Sequence, residues 1–299
     1  MKHPSLAIFA NFFIDNAERL QRMKDSFNSF KEAGPNQWVI NIRGSLKYEA
    51  GNFLKEELRE KLNLFYLQSG RGWLYDSNTI ASKINSNYVL FWVEDHILIN
   101  SPNNLNNCIA EMNKFNVDQL LYSFLISDIK KKFAIIEPYK SGEYIKVLKL
   151  DSEICLKTRK LFGEFYTVSC PTIMSKNFFT KILLSRKPYL KRWPRNVPFD
   201  FEKLSKDNIA KVIWHAIPNQ ELFAVIDDNH GQPGYSLISR GLYPNRISRD
   251  SLKNLEFNYS SEKRQKLKNI VPKKISFFIF LLFRFVRSIF YTLNLFWNK

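Results

Sequence analysis

The chain has 299 residues, a net charge of +17 and an isoelectric point near 9.7. That length buries a sizeable core without disulfide staples, and the apolar fraction of 45% with 24% charged residues excludes a disordered or collagen-like chain. The charge favours a polyanionic partner: nucleic acid, anionic lipid or a phosphorylated substrate.

Cys108, Cys155 and Cys170 are scattered, with no CxxC or other ligand spacing, and are expected to be reduced thiols. The apolar run after Met1-Lys2-His3-Pro4 lacks the length and cleavage site of a signal peptide, so a non-secreted protein is expected.

In chain order, 5–13 (SLAIFANFF) is predicted as a buried strand and 15–30 as a helix with Leu20, Met23, Phe27 and Phe30 on one face. Asp15 or Asn16 caps it, and Gly34-Pro35-Asn36 breaks it. A strand at 37–42, a helix at 50–62, a strand at 63–68, a helix at 75–85 and a strand at 88–93 follow. This alternation predicts an α/β domain with a mostly parallel, buried sheet. Ligands of such sheets bind at the carboxyl ends of the strands. The residues there are Asn11, Arg43, Ser69 to Trp73, and Glu94 to His96. Further on, helices are predicted at 103–115, 176–184 and 200–215. Strands are predicted at 119–126, 132–136, 143–149 and 165–174, and a glycine-containing loop at 231–243.

The last 60 residues, from Arg240, hold 13 Lys and Arg against 3 Asp and Glu, so much of the positive excess lies beside an apolar segment. Within 275–297 the uninterrupted apolar part, 277–283, is far shorter than a span of roughly 20 residues. On a helix Arg284, Arg287, Ser288, Tyr291 and Asn294 share one side, and Phe, Leu, Ile and Val take the other. That is the pattern of a helix lying in the membrane interface. A Phe-rich helix docked on its own protein would read the same way.

The most specific local feature is Val93-Glu94-Asp95-His96, an acidic pair past a hydrophobic strand. A nucleotide-sugar site needs such carboxylates, because a divalent cation bridges them to the donor's diphosphate and stabilises the leaving group. Oxygen ligands suit Mg²⁺ or Mn²⁺, and a histidine nitrogen tilts the choice to Mn²⁺.

Four alternating strands ending in this motif resemble the GT-A fold of family 2 glycosyltransferases, of the kind that assemble bacterial polysaccharides and glycolipids. Glu94-Asp95-His96 stands where that family places its DxD motif, with Glu-Asp-His in place of Asp-x-Asp. The resemblance implies a Rossmann-like nucleotide-sugar-binding sheet with an acceptor-side extension, and a metal held by Asp95 with His96. Pro198-Phe199-Asp200-Phe201-Glu202 resembles the family's acidic acceptor-site motif, which makes Glu202 the general base and Asp200 its neighbour and helix cap. The loop Asp227-Asp228-Asn229-His230-Gly231, followed by Ser239-Arg240-Gly241, resembles the late loop that returns over the donor diphosphate. It offers His230 as a further metal ligand and Arg240 as a donor contact. Asn11, Arg43, Arg71 and Glu94 are the remaining candidates for donor binding, and Trp73 is a candidate to stack a base or sugar.

The resulting expectation is a catalytic domain over 1–245, a basic linker over 246–273 and an amphipathic membrane helix over 274–299. The activity expected is sugar transfer from a nucleotide-sugar to a lipid-linked or glycan acceptor, metal-assisted and inverting, at the cytoplasmic face of the membrane. A nucleotidyltransferase is the alternative enzyme, although Ala10-Asn11-Phe12-Phe13 offers no glycine-rich phosphate loop. A basic peripheral membrane or nucleic-acid-binding protein is the non-enzymatic alternative.

Overall fold

A computed structural model describes residues 4–68, 73–123, 136–162, 168, 170–183, 212–227 and 234–247. Arg71, Asp200, Glu202 and His230 lie outside these residues, as do 132–135 of the strand predicted at 132–136, 200–211 of the helix predicted at 200–215, most of the expected linker over 246–273 and the expected membrane helix over 274–299. The chain divides into two units, Met1–Pro244 and Asn245–Lys299, and the sheet lies in the first.

Strand β1 (Leu6–Phe13) is buried along its whole length, as an uninterrupted apolar run in a covered sheet should be. Helix α1 (Ala17–Phe30) begins where the Asn16 side chain accepts the Arg19 N–H, so Asn16 rather than Asp15 is the cap. A 3-10 turn, Lys31–Ala33, and Gly34 at φ +65° end it and turn the chain into β2 (Gln37–Arg43). Gly44 follows at φ +98°, and a Cβ there would collide with the Ile14 carbonyl oxygen, so only glycine fits this corner. Helix α2 (Lys47–Leu58), β3 (Leu62–Phe65), α3 (Trp73–Ala81) and β4 (Tyr88–Phe91) complete the alternation.

Beyond it lie β5 (His96–Leu98), α4 (Pro102–Phe115), β6 (Gln119–Leu121), β7 (Lys140–Ser141) and β8 (Ile145–Asp151). They are followed by α5 (Ser152–Phe162), β9 (Thr172–Ser175), α6 (Lys176–Leu183), β10 (Val212–Pro218) and β11 (Phe223–Val225). The strands β5, β7 and β11 and the helix α5 have no counterpart among the predicted elements.

Among the described residues nine strands form one sheet in the order β3-β2-β1-β4-β9-β6-β10-β8-β7. All run the same way except β8 and β9, so the sheet is large and mostly parallel. Antiparallel β9 separates β4 from β6, a mixed arrangement that the alternating first hundred residues do not reveal.

Although the sequence predicts a helix over 200–215, residues 212–215 belong to β10, which places His215 in the sheet. The stretch Val212-Ile213-Trp214 is β-branched and aromatic, and the pairing of β10 with both β6 and β8 overrides a helical reading.

Alternate residues of β1 serve two cores. Ile8, Ala10 and Phe12 pack with Met23, Phe27 and Phe30 of α1, Leu54 of α2 and Ile109 of α4. Ala7 and Phe9 pack on the other face with Ile80 of α3 and Phe179 of α6. Period-two alternation along a doubly covered strand produces this division. Cys108 and Cys170 are buried, Cys155 is half-buried, and all three are thiols. Among the described residues no helix is long and apolar enough to cross a membrane.

Candidate active site

Strand β1 neighbours β2 on one side and β4 on the other, so the strand order reverses between β1 and β4. In open α/β sheets this switch point opens a crevice at the carboxyl ends of the strands, where ligands bind. The residues that leave β4 there are Trp92, Val93, Glu94 and Asp95.

The turn is built from both sides. His96 donates its backbone N–H to the Val93 carbonyl at 3.2 Å, closing the turn around Glu94 and Asp95. Trp92 Nε1 donates to Ser26 Oγ at 2.8 Å, and Ser26 Oγ donates to the His96 carbonyl. Helix α1 thereby holds the start of β5, and Ser29 Oγ accepts the Leu98 N–H at 2.9 Å as a second tie. From the other side, Ile226 donates to the Asp95 carbonyl at 2.7 Å, directly after β11 pairs with β5.

Asp95 Oδ1 lies 2.7 Å from His96 Nδ1. A carboxylate accepts, so Nδ1 carries the proton in this pair. The imidazole is buried against the Tyr122 ring, with centroids 5.9 Å apart, and Nε2 is enclosed without a hydrogen-bond partner among the described residues. The sequence predicts His96 as a metal ligand. In this arrangement one nitrogen serves Asp95 and the other is covered, so the ring orients the carboxylate instead. Tyr122 donates its hydroxyl to the Phe91 carbonyl at 2.8 Å. Burial, with Cys170 and Asp95 nearby, raises its pKa well above the usual value, so it remains a neutral donor beneath the acidic turn.

Asn11, Arg43 and Trp73 are predicted to face the donor; all three are buried, Trp73 as the first residue of α3 and Asn11 beneath that helix. Register sets Asn11 opposite Asn41 and Phe13 opposite Arg43 on that face. Asn11 Oδ1 accepts from Asn41 Nδ2 at 2.9 Å and Arg43 Nε at 3.0 Å, while Asn11 Nδ2 donates to Ser77 Oγ at 2.9 Å and the Trp73 carbonyl at 3.2 Å. The Trp73 ring is 1% exposed, stacks on Phe91 and donates Nε1 to the Asn11 carbonyl at 3.0 Å, so it presents no face to a base. The Arg43 guanidinium lies over the Phe13 ring, 5.7 Å from its centroid. These side chains fix the strand ends from beneath, a role in keeping with the rule that buried polar groups are satisfied.

Arg240 is predicted to contact the donor, and in the structure it closes its own turn. It pairs with Glu221 at 2.9 Å and donates to the Gly234 and Tyr235 carbonyls at 2.9 and 3.1 Å. The segment it braces runs beside β11, since Leu237 and Ile238 donate to the Val225 and Ile226 carbonyls. Asp227, first residue of the motif that continues to His230, therefore follows the residue bonded to Asp95. Arg22 of α1 reaches Asp227 at 3.7 Å while its Nε pairs with Glu18 at 2.8 Å. Sequence reasoning does not single out Arg22, although the i,i+4 spacing of Glu18 and Arg22 is a signal for the pair.

Among the described residues no group of three or more His, Cys, Asp and Glu could by itself hold a metal. No family model matches the chain, and no curated protein matches it. Among solved structures, the chain is similar to residues 1-349 of S. aureus TarS, free and in complex with UDP. The TM-score is 0.46 at 12% identity, over 73% of this chain and 59% of that one. It is also similar to the mannosyltransferase PcManGT from Pyrobaculum calidifontis, in complex with GDP-Man and Mn²⁺. There the TM-score is 0.33 at 13% identity, over 40% of this chain and 35% of that one.

Proposed function

We propose that the chain is a glycosyltransferase that moves a sugar from a nucleotide-sugar to a lipid-linked or glycan acceptor. The observation that carries this reading is the position of Asp95: a partly exposed carboxylate, oriented by His96, at the switch point between β1 and β4. A donor's diphosphate is the ligand chemistry that needs a carboxylate-bound cation in such a crevice. The GT-A resemblance of the sequence supports the same assignment.

Asp95 and Glu94 would hold the cation, Mn²⁺ or Mg²⁺. Their oxygens fit a metal that takes its remaining ligands from the diphosphate and from water, as Mg²⁺ does in phosphate sites. When bound, it would stabilise the departing nucleoside diphosphate as a Lewis acid. His96 fixes the rotamer of Asp95, and the Ile226 bond fixes its backbone. On this reading Glu202 removes the acceptor's proton in an inverting displacement, with Asp200 beside it and His230 and Arg71 completing the donor side. The basic, aromatic segment 275–297 keeps the enzyme at the cytoplasmic face of a membrane.

The test is turnover of a panel of UDP- and GDP-sugars, with and without Mn²⁺, by the wild type and Asp95→Asn. We expect cation-dependent release of nucleoside diphosphate, reduced at least about 100-fold in the variant at unchanged thermal midpoint. Equal turnover by the two proteins, or none of any donor by the wild type, would reject the assignment.

A further inference from the structure

Far from the acidic turn, the opposite edge of the sheet carries an exposed patch in which lysines lie on aromatic rings. Lys140, on the edge strand β7, sits 5.5 Å from the centroid of Tyr139 and 5.9 Å from that of Phe115. Lys114, in the last turn of α4, lies 5.3 Å from the same Phe115 ring. Tyr139, 58% exposed, packs its ring 4.7 Å from that of Trp214, and the register of β8 on β10 sets Lys149 directly opposite Trp214. All three lysines are exposed, while Phe115 and Trp214 are half-buried against the core.

A short edge strand with one lysine is an ordinary guard against edge-to-edge pairing. That account covers Lys140 alone. Lys114 and Lys149 come from a helix end and from an inner strand: Lys114 shares the Phe115 ring with Lys140, and Lys149 stands opposite Trp214, on which Tyr139 packs. The acids nearby are largely committed. Glu111 accepts three backbone N–H groups from Glu143, Tyr144 and Ile145, and Asp118 accepts the Trp214 N–H at 2.9 Å. Glu137 and Glu143 stand exposed at either end of the hairpin.

We infer that this edge is a docking surface for an anionic lipid bilayer. Tyr and Trp are the side chains that settle at the headgroup level, with the ring in the apolar boundary and the polar atom in water. Lysines flanking them supply the attraction to anionic headgroups and extend their apolar stems along the same boundary. Five strand spacings separate β7 from β4, roughly 20 Å or more, so the contact leaves the carboxyl edge at β1 and β4 uncovered. The patch lies within Met1–Pro244 and includes none of the residues assigned to the proposed activity.

The test is co-sedimentation of the full chain with phosphatidylcholine vesicles containing about a third phosphatidylglycerol. The test protein is the triple variant Lys114→Gln/Lys140→Gln/Lys149→Gln, compared with wild type and with a matched triple, Lys24→Gln/Lys55→Gln/Lys61→Gln. Any contribution of 248–299 enters all three alike. At roughly a factor of five per surface lysine, the patch variant should bind on the order of 100-fold more weakly at an unchanged thermal midpoint, and Tyr139→Ser should weaken binding further. The matched triple should lose far less. Equal losses in the two triples would overturn the inference. So would a patch variant that keeps wild-type vesicle affinity while losing binding to a soluble anionic polysaccharide.

Discussion

Ile226 donates its backbone N–H to the carbonyl oxygen of Asp95 at 2.7 Å, across 131 positions of sequence. The bond fastens the start of the Asp227–His230 motif to the acidic turn after β4. Two segments that are remote along the chain thus meet at one strand end, and Arg22 of α1 reaches Asp227, the next residue.

The orienting role of His96 predicts a graded loss. In His96→Ala the carboxylate of Asp95 loses its Nδ1 partner but not its backbone anchors. We expect kcat for nucleotide-sugar turnover to fall about 10- to 100-fold, with the larger loss reserved for Asp95→Asn. A His96→Ala protein as inactive as Asp95→Asn would mean that the ring itself meets the substrate.

Asn11 is the hub of the polar network under α3. Truncation to Ala strips Asn41 and Arg43 of an acceptor and Ser77 of a donor in a buried setting. We expect Asn11→Ala to cost about 1–3 kcal/mol in denaturant unfolding, because the buried Asn41 and Arg43 donors each lose an acceptor. A loss under about 0.5 kcal/mol would show that water replaces the side chain there.

Glu111 binds the turn between β7 and β8 through three backbone N–H groups at 2.9 to 3.0 Å. Charge-assisted bonds of this kind are stronger than neutral ones. Glu111→Ala should lower stability by about 1–3 kcal/mol and speed amide exchange at Glu143, Tyr144 and Ile145 ahead of the rest of the sheet. Unchanged exchange at those three amides would refute the cradle.

His215 is buried in β10, with Nδ1 2.8 Å from Gln119 Nε2, and burial lowers its pKa from 6.5 to about 3. Between these values the unfolded chain holds a proton there that the native chain does not, so unfolding becomes easier as pH falls through that window. The slope from this one group approaches about 1.4 kcal/mol per pH unit. Asp118 acts with the opposite sign, since burial raises its pKa, but it is common to wild type and variant. Urea unfolding of His215→Gln should therefore show a shallower decline on acidification than the wild type. Parallel profiles would contradict the assignment.

The α/β alternation and the cap at the start of α1 are local features, and the sequence exposes them directly. Apolar runs of strand length and side chains that bond the backbone three residues on act through near neighbours. The acidic turn after β4 is legible for the same reason: its placement needs only the end of one hydrophobic strand. What the strand-end side chains do is not legible. Asn11 and Arg43 read as groups turned to a ligand, but α3, more than sixty positions beyond Asn11, covers Asn11, and Arg43 is spent on Asn11 and the Phe13 ring.

The sequence by itself determined the alternating elements from β1 to β4 and the chemistry available at their ends, because periodicity and capping are written in neighbouring residues. Tertiary structure alone decided that β9 runs antiparallel between β4 and β6, that His215 is a strand residue and that Ile226 meets Asp95. Those outcomes depend on hydrogen bonds between partners scores of residues apart. Their formation is set by competition among whole packed arrangements, which no window of the chain contains.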